Sequence, residues 1–139
     1  MSTPFLNGAK PWNQQAASGT TTYYSEVTIL PRVEDLMYLI SFLRASGTFA
    51  GTLTVEVSAE APMIYQAAYA ADAGLPGGTQ VNLLLWDTYN PTGFTIPAIS
   101  TVTEQKLNLK ITDLGASLIR LKYVNATGTG TVTAQVSAK

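Results

Sequence analysis

The segment Gly51-Thr52-Leu53-Thr54-Val55-Glu56-Val57-Ser58-Ala59-Glu60 recurs 79 positions later as Gly130-Thr131-Val132-Thr133-Ala134-Gln135-Val136-Ser137-Ala138-Lys139, with six of the ten positions identical. The match also runs backwards. Leu39-Ile40 aligns with Leu118-Ile119 and Thr48 with Thr127, and one residue of slippage sets Asp35-Leu36 on Asp113-Leu114. The repeated unit is strand, Gly/Thr turn and strand. It reads as duplication or as convergence on one hairpin design, with chance similarity between two Thr/Val-rich strands as the alternative, and it carries no chemical motif. At 139 residues the chain fits one domain, and a half-length sheet buries too little apolar surface to stand alone. The two copies are therefore expected to share one core.

The repeat also decides an ambiguous stretch. Val33, Leu36, Met37, Ile40 and Leu43 fit a helical face, with Glu34-Asp35 suited to a first turn. The aligned segment Leu118-Ile119-Arg120-Leu121-Lys122-Tyr123-Val124 alternates, with Ile119, Leu121 and Tyr123 inward and Arg120 and Lys122 outward, as a strand does. By analogy Met37 to Arg44 is expected to be a strand, buried on both faces. The turns Ser46–Gly51 and Asn125–Gly130 then read as hairpin turns, with Gly where φ is positive.

Elsewhere, Thr20 to Ile29 is β-branched and aromatic, and Thr103 to Thr112 alternates with Leu107, Leu109 and Ile111 inward. Pro62 to Ala70 reads as a strand or a short helical turn, and Ala71 to Gly78 as a loop. Val81 to Trp86 reads as an apolar strand, followed by a turn from Asp87 to Gly93. Residues 1–19, with Pro4, Gly8, Pro11 and Gly19, lack periodicity and read as an extended N-terminal arm. The expected fold is all-β: a two-sheet antiparallel β-sandwich, jelly-roll-like, of about eight strands over residues 20–139.

Composition narrows function more than it assigns it. Histidine and cysteine are absent. Disulfides, thiolate nucleophiles, Cys- or His-built zinc sites and Ser-His or Cys-His catalysis therefore cannot come from this chain alone. Nine carboxylates remain, and nothing in their spacing selects a catalytic pair or a calcium loop. No enzyme activity, cofactor or metal is expected. The net charge is −1 with scattered basic residues, which leaves no electrostatic footprint for nucleic acid. Lys106, Lys110, Arg120 and Lys122 fall on the polar phase of strands and read as a solvated face. No apolar run approaches the ~20 residues of a membrane span. Residues 1–8 have neither the basic nor the apolar region of a secretory signal, so a soluble protein made in a cytoplasm is expected.

Charged residues make up only 12% of the chain. A surface of Thr, Ser, Asn, Gln and Gly costs little to desolvate and suits packing against protein, although Thr is also simply favoured in strands. Five aromatics are the candidate contact residues. Phe5 and Trp12 lie on the arm; Trp86, Tyr89 and Phe94 cluster around the Asp87–Gly93 turn. Phe5 and Trp12 are expected to dock either on their own domain or on a neighbour, while the other three read as core or loop packing, as a stacking platform for a sugar, or as a protein–protein anchor.

The cadence Leu39-Ile40, Ser46-Gly47-Thr48, Gly51 to Val57, then Trp86, then Leu118 to Tyr123 and Thr127 to Val132 resembles small structural proteins of tailed bacteriophage particles. It is similar in particular to the β-sandwich or jelly-roll proteins that decorate or cement icosahedral heads. The resemblance covers roughly residues 20–139 and involves no invariant site. It implies a homo-oligomer, dimer or trimer, seated across junctions of the major capsid protein on the head surface of the virion after assembly in the host cytoplasm. It implies neither nucleic-acid nor membrane binding. The alternative is a carbohydrate-binding or host-attachment module of a tail or head fibre.

Overall fold

The computed structural model describes residues 9–30, 35–75, 78–89, 94–95, 104–111 and 116–138. The fold is all-β and antiparallel, built around two long strands, β4 (Leu36–Ser58) and β8 (Leu118–Ala138). These are the two copies of the repeat. The shorter strands are β1 (Ala9–Ala17), β2 (Thr22–Tyr24), β3 (Thr28–Ile29), β5 (Asp87–Thr88), β6 (Phe94–Thr95) and β7 (Glu104–Ile111). Two helices, α1 (Pro62–Ala71) and α2 (Thr79–Asn82), interrupt them.

The repeat does not fold as two hairpins. Each arm of one copy pairs with the opposite arm of the other: Leu36 to Arg44 runs against Ala138 to Gly130, and Gly51 to Ser58 against Asn125 to Leu118. The segments expected to be hairpin turns are bends within continuous strands, marked by register shifts between Arg44 and Gly51. Gly47 and Gly128 do take positive φ there, at 68° and 73°. Bulges of this kind bend and twist a sheet.

The bend folds the sheet over its own inner face. Phe42 pairs with Val132 and Leu53 with Tyr123. A straight β8 would hold Val132 and Tyr123 about 30 Å apart, yet the Phe42 and Tyr123 rings lie 5.6 Å apart, with Phe49 against both. Two leaves result. The first is β7, the N-terminal half of β4, the C-terminal half of β8, and β1; the second is β5 and β6, the C-terminal half of β4, the N-terminal half of β8, and β2 with β3. Tyr38, Ile40 and Phe42 from the first leaf and Leu53, Val55, Ile119 and Leu121 from the second share one apolar core.

Three expectations are corrected by this arrangement. Over Ala9–Ala17 the N-terminal arm is a strand, hydrogen-bonded along β8, and Trp12 is core. Two register shifts in β1, between Ala9 and Trp12 and between Trp12 and Gln15, erase the alternation that would betray a strand. Next, Met37 to Arg44 is strand but buried on one face only, because Met37, Leu39 and Leu43 point outward and are 41–47% exposed. Finally, Val81 to Trp86 begins as a helical turn. Asp72 accepts the N–H groups of Gln80 and Val81 at 2.8 and 2.9 Å, and Trp86 Nε1 donates to the Val81 carbonyl at 2.9 Å, so the segment winds up. Inward Leu107, Leu109 and Ile111 in β7 match expectation.

Equivalent glycines of the repeat line the fold. A Cβ on Gly51 would strike the Tyr123 ring and the Val124 carbonyl; one on Gly130 would strike the Leu43 carbonyl and the Phe49 ring. Gly51→Ala and Gly130→Ala are each expected to lower stability by about 2–3 kcal/mol in chemical denaturation. Loss of less than a few tenths at both sites would show that the corner is loosely packed.

Burial also sets the response to alkali. It pushes Tyr123 and Tyr65 up from 10.0 to about 12 and raises Tyr38 further. A raised acid pKa means the neutral form is favoured in the folded state. That contribution is whole below pH 10.0 and is lost as pH climbs toward about 12. The melting temperature should fall across that window, and the part of the ultraviolet tyrosinate absorbance due to Tyr38, Tyr65 and Tyr123 should rise together with unfolding, after that of Tyr23, whose pKa the hydrogen bonds with Ser18 lower.

Candidate protein-contact surface

The outer face of the second leaf is covered by the segment between β4 and β5. Helix α1 starts with Pro62 in its first turn, where the missing N–H costs nothing. Tyr65, Ala68 and Tyr69, one helical face, pack down with Val81, Leu84 and Trp86 against Val27 and against Ile29 and Leu118 of the sheet. This second apolar cluster leaves other large side chains pointing away. Met63, Leu75, Leu83 and Leu85 are 66–74% exposed, and Ile64 and Tyr89 are exposed as well.

Under this covering lies Arg120, which is 2% exposed. It sits on the outward phase of β8, opposite Glu56 of β4. Its Nε donates to Glu56 Oε1 at 2.8 Å and its Nη1 to Asn82 Oδ1 of α2. The guanidinium carbon lies 4.1 Å from the centre of the Tyr24 ring and 4.3 Å from that of Trp86. Burial lowers the pKa of Arg120, and the Glu56 carboxylate opposes that shift; an arginine in such a setting stays cationic. Arg120 is thus a clamp. It ties β2, β4, α2 and the residue before β5 to one charge.

The expected solvated face is corrected here: Arg120 follows the outward phase, but the helical segment seals it from water. Of the five candidate aromatics, Trp86 and Tyr89 come together at the end of the covering segment. Trp86 is half-buried, with Arg120 against its ring and its N–H satisfied. Tyr89 is 40% exposed, and its N–H bonds the Val55 carbonyl. Phe94 lies in β6 opposite Leu53. Trp12 is 3% exposed inside the domain core, so it is no surface anchor. Phe5 lies outside the described residues. Sequence reasoning missed Glu56, Tyr24 and Asn82 as partners of Arg120. It also read Leu83 and Leu85 as part of a strand, although three consecutive leucines beside a tryptophan were a signal.

The Glu56 carboxylate is engaged by Arg120. Among the described residues no group of acidic side chains could hold a metal ion, and no helix is long and apolar enough to cross a membrane. What the site offers is a braced plate bearing apolar side chains.

No protein-family model and no curated protein sequence matches this chain. Among solved structures, one described as "CBM4 structure and function" superposes with a TM-score of 0.48 at 11% identity, over 94% of this chain and 70% of that one. So distant a likeness carries no function across.

Removing one partner of a buried ion pair strands the other, at about 3–5 kcal/mol. Glu56→Ala is expected to cost that much, and Arg120→Lys to cost part of it through loss of the planar fork. In hydrogen exchange the α1–α2 segment should open while the β4–β8 ladder stays protected. Equal loss of protection in both would show that the clamp serves the whole sheet.

Proposed function

We propose that this chain is a structural protein of a virus particle, a decoration or cement protein that binds across junctions between major capsid proteins and stabilises the head shell. Support comes first from the exposed apolar set, Met63, Ile64, Leu75, Leu83 and Leu85, carried on a segment that Arg120 holds in place. Apolar side chains on a braced support lose little entropy on docking, which favours binding. The charge-poor surface and the sequence cadence point the same way. Each copy would bury modest area, and the symmetry of a shell would multiply it.

A glycan-binding role in host attachment would want an aromatic face open to a ring. Trp86 spends one face on Arg120 and its N–H on Val81, which leaves Tyr89 as the exposed aromatic among the described residues.

The test is addition of purified protein to expanded empty shells, read by co-sedimentation and by the shells' melting temperature. Saturable, stoichiometric binding with a raised melting temperature is expected. Leu83→Asp combined with Leu85→Asp should weaken binding by about 30-fold or more, without changing the free protein's own melting temperature, since both side chains are largely exposed. Absence of binding to shells, with specific retention on a glycan array that Tyr89→Ala abolishes, would overturn the proposal in favour of the lectin role.

A further inference from the structure

The outer face of the first leaf is built differently from that of the second. Its central strand carries Met37, Leu39 and Leu43 outward, at 41%, 41% and 47% exposure. On one side runs the outward row of β7, Glu104, Lys106, Asn108 and Lys110, all exposed; on the other runs Thr131, Thr133, Gln135 and Ser137 of β8. Among the described residues no element covers this face. An apolar stripe between polar margins is the anatomy of a protein interface.

The positions of the charges say what fits it. Ile40 pairs with Leu107 on one side and Ala134 on the other, so these three residues form one row across the leaf. Take a two-fold axis along that row, with a second leaf facing the first. Each strand then lies antiparallel over its own copy. Glu104 falls opposite Lys110 of the other molecule at both ends of β7, and Lys106 falls opposite Asn108. Met37 meets Leu43, Leu39 meets Ser41, and the β8 rows meet Thr against Ser and Gln. No like charges oppose each other. Sheets packed face to face cross at about 30°, which leaves long Lys and Glu side chains within reach. Within one chain Glu104 is held by Ser41 Oγ at 3.0 Å and Lys106 at 3.7 Å, which fixes the carboxylate at the rim.

We infer that the first leaf's outer face is the self-association surface of this protein, forming an isologous two-fold dimer centred on the row Leu107, Ile40 and Ala134, with two Glu104–Lys110 pairs across it. A C2 interface requires this kind of self-complementarity. The surface is separate from the α1–α2 plate, so the inference stands or falls independently of shell binding.

Sedimentation velocity on the purified full chain tests it. The wild-type protein should reach a dimer with rising concentration. Leu43→Asp should weaken association by about tenfold or more, as should Glu104→Lys and Lys110→Glu singly. All three side chains are exposed, so the melting temperatures should stay near that of the wild type. The decisive sample mixes the two charge variants. One then presents Lys at both positions and the other Glu at both, so every cross-pair is again opposite in sign and a heterodimer should form where neither variant self-associates. Wild-type protein that stays monomeric would overturn the inference and leave the stripe to another occupant. So would a dimer indifferent to these substitutions, or charge variants that stay apart when mixed.

Discussion

Everything in this molecule hangs on one backbone ladder, the pairing of Leu36–Ser58 with Leu118–Ala138. Among the described strands, β1, β2 and β3 pair only with β8, and β5, β6 and β7 only with β4. The two long strands therefore supply the frame of both leaves. Their shared bend makes the inner face concave and closes it on itself, so that Phe42, Phe49 and Tyr123 meet at the corner. Small residues must stand where the strands cross closest, and the repeat places glycine at both equivalent sites, 51 and 130. Asn125, fully buried, satisfies the corner's polar groups by accepting from the Tyr123 hydroxyl and donating to the Gly19 and Gly128 carbonyls.

Much of this frame was legible in the sequence. Alternation of Ile119, Leu121 and Tyr123 gave the phase of β8, and transfer through the repeat identified 37–44 as strand rather than helix. Alternation is a local property and survives any choice of partner, which is why it worked. The choice of partner was not legible. A strand, a Gly/Thr turn and a second strand look the same whether the arms pair with each other or exchange with a second copy. β1 was hidden because its bulges break the period of two, and the covering segment because a short apolar run fits helix and strand equally. Arg120 shows the limit most clearly. Its outward phase was right, but solvent exposure depends on Asn82 and Trp86, close to forty residues away along the chain, and on Tyr24.

The two outer faces have opposite treatments, and the difference is instructive. One is sealed by a helical segment fixed through a single buried cation, whose geometry of a carboxylate, an amide oxygen and two aromatic rings admits few alternative dockings. A purely apolar contact would hold the segment as well but orient it less strictly, since apolar burial is non-directional. Among the described residues the other face is left open with its stripe in place. A chain that seals one side and leaves the other has two distinct surfaces to offer.

The exchange of arms between the two copies also governs when the fold can exist. In a pair of ordinary hairpins the first copy could close on itself as soon as it left the ribosome. Here β1, β2 and β3 find no partner until residues 118–138 have been made. Strand β4 can meet β5, β6 and β7 earlier, but its other edge must wait for the same segment. Contacts of such long sequence separation form slowly and leave sticky edges uncovered meanwhile. Both leaves therefore close only when β8, the last of the described strands, has been made.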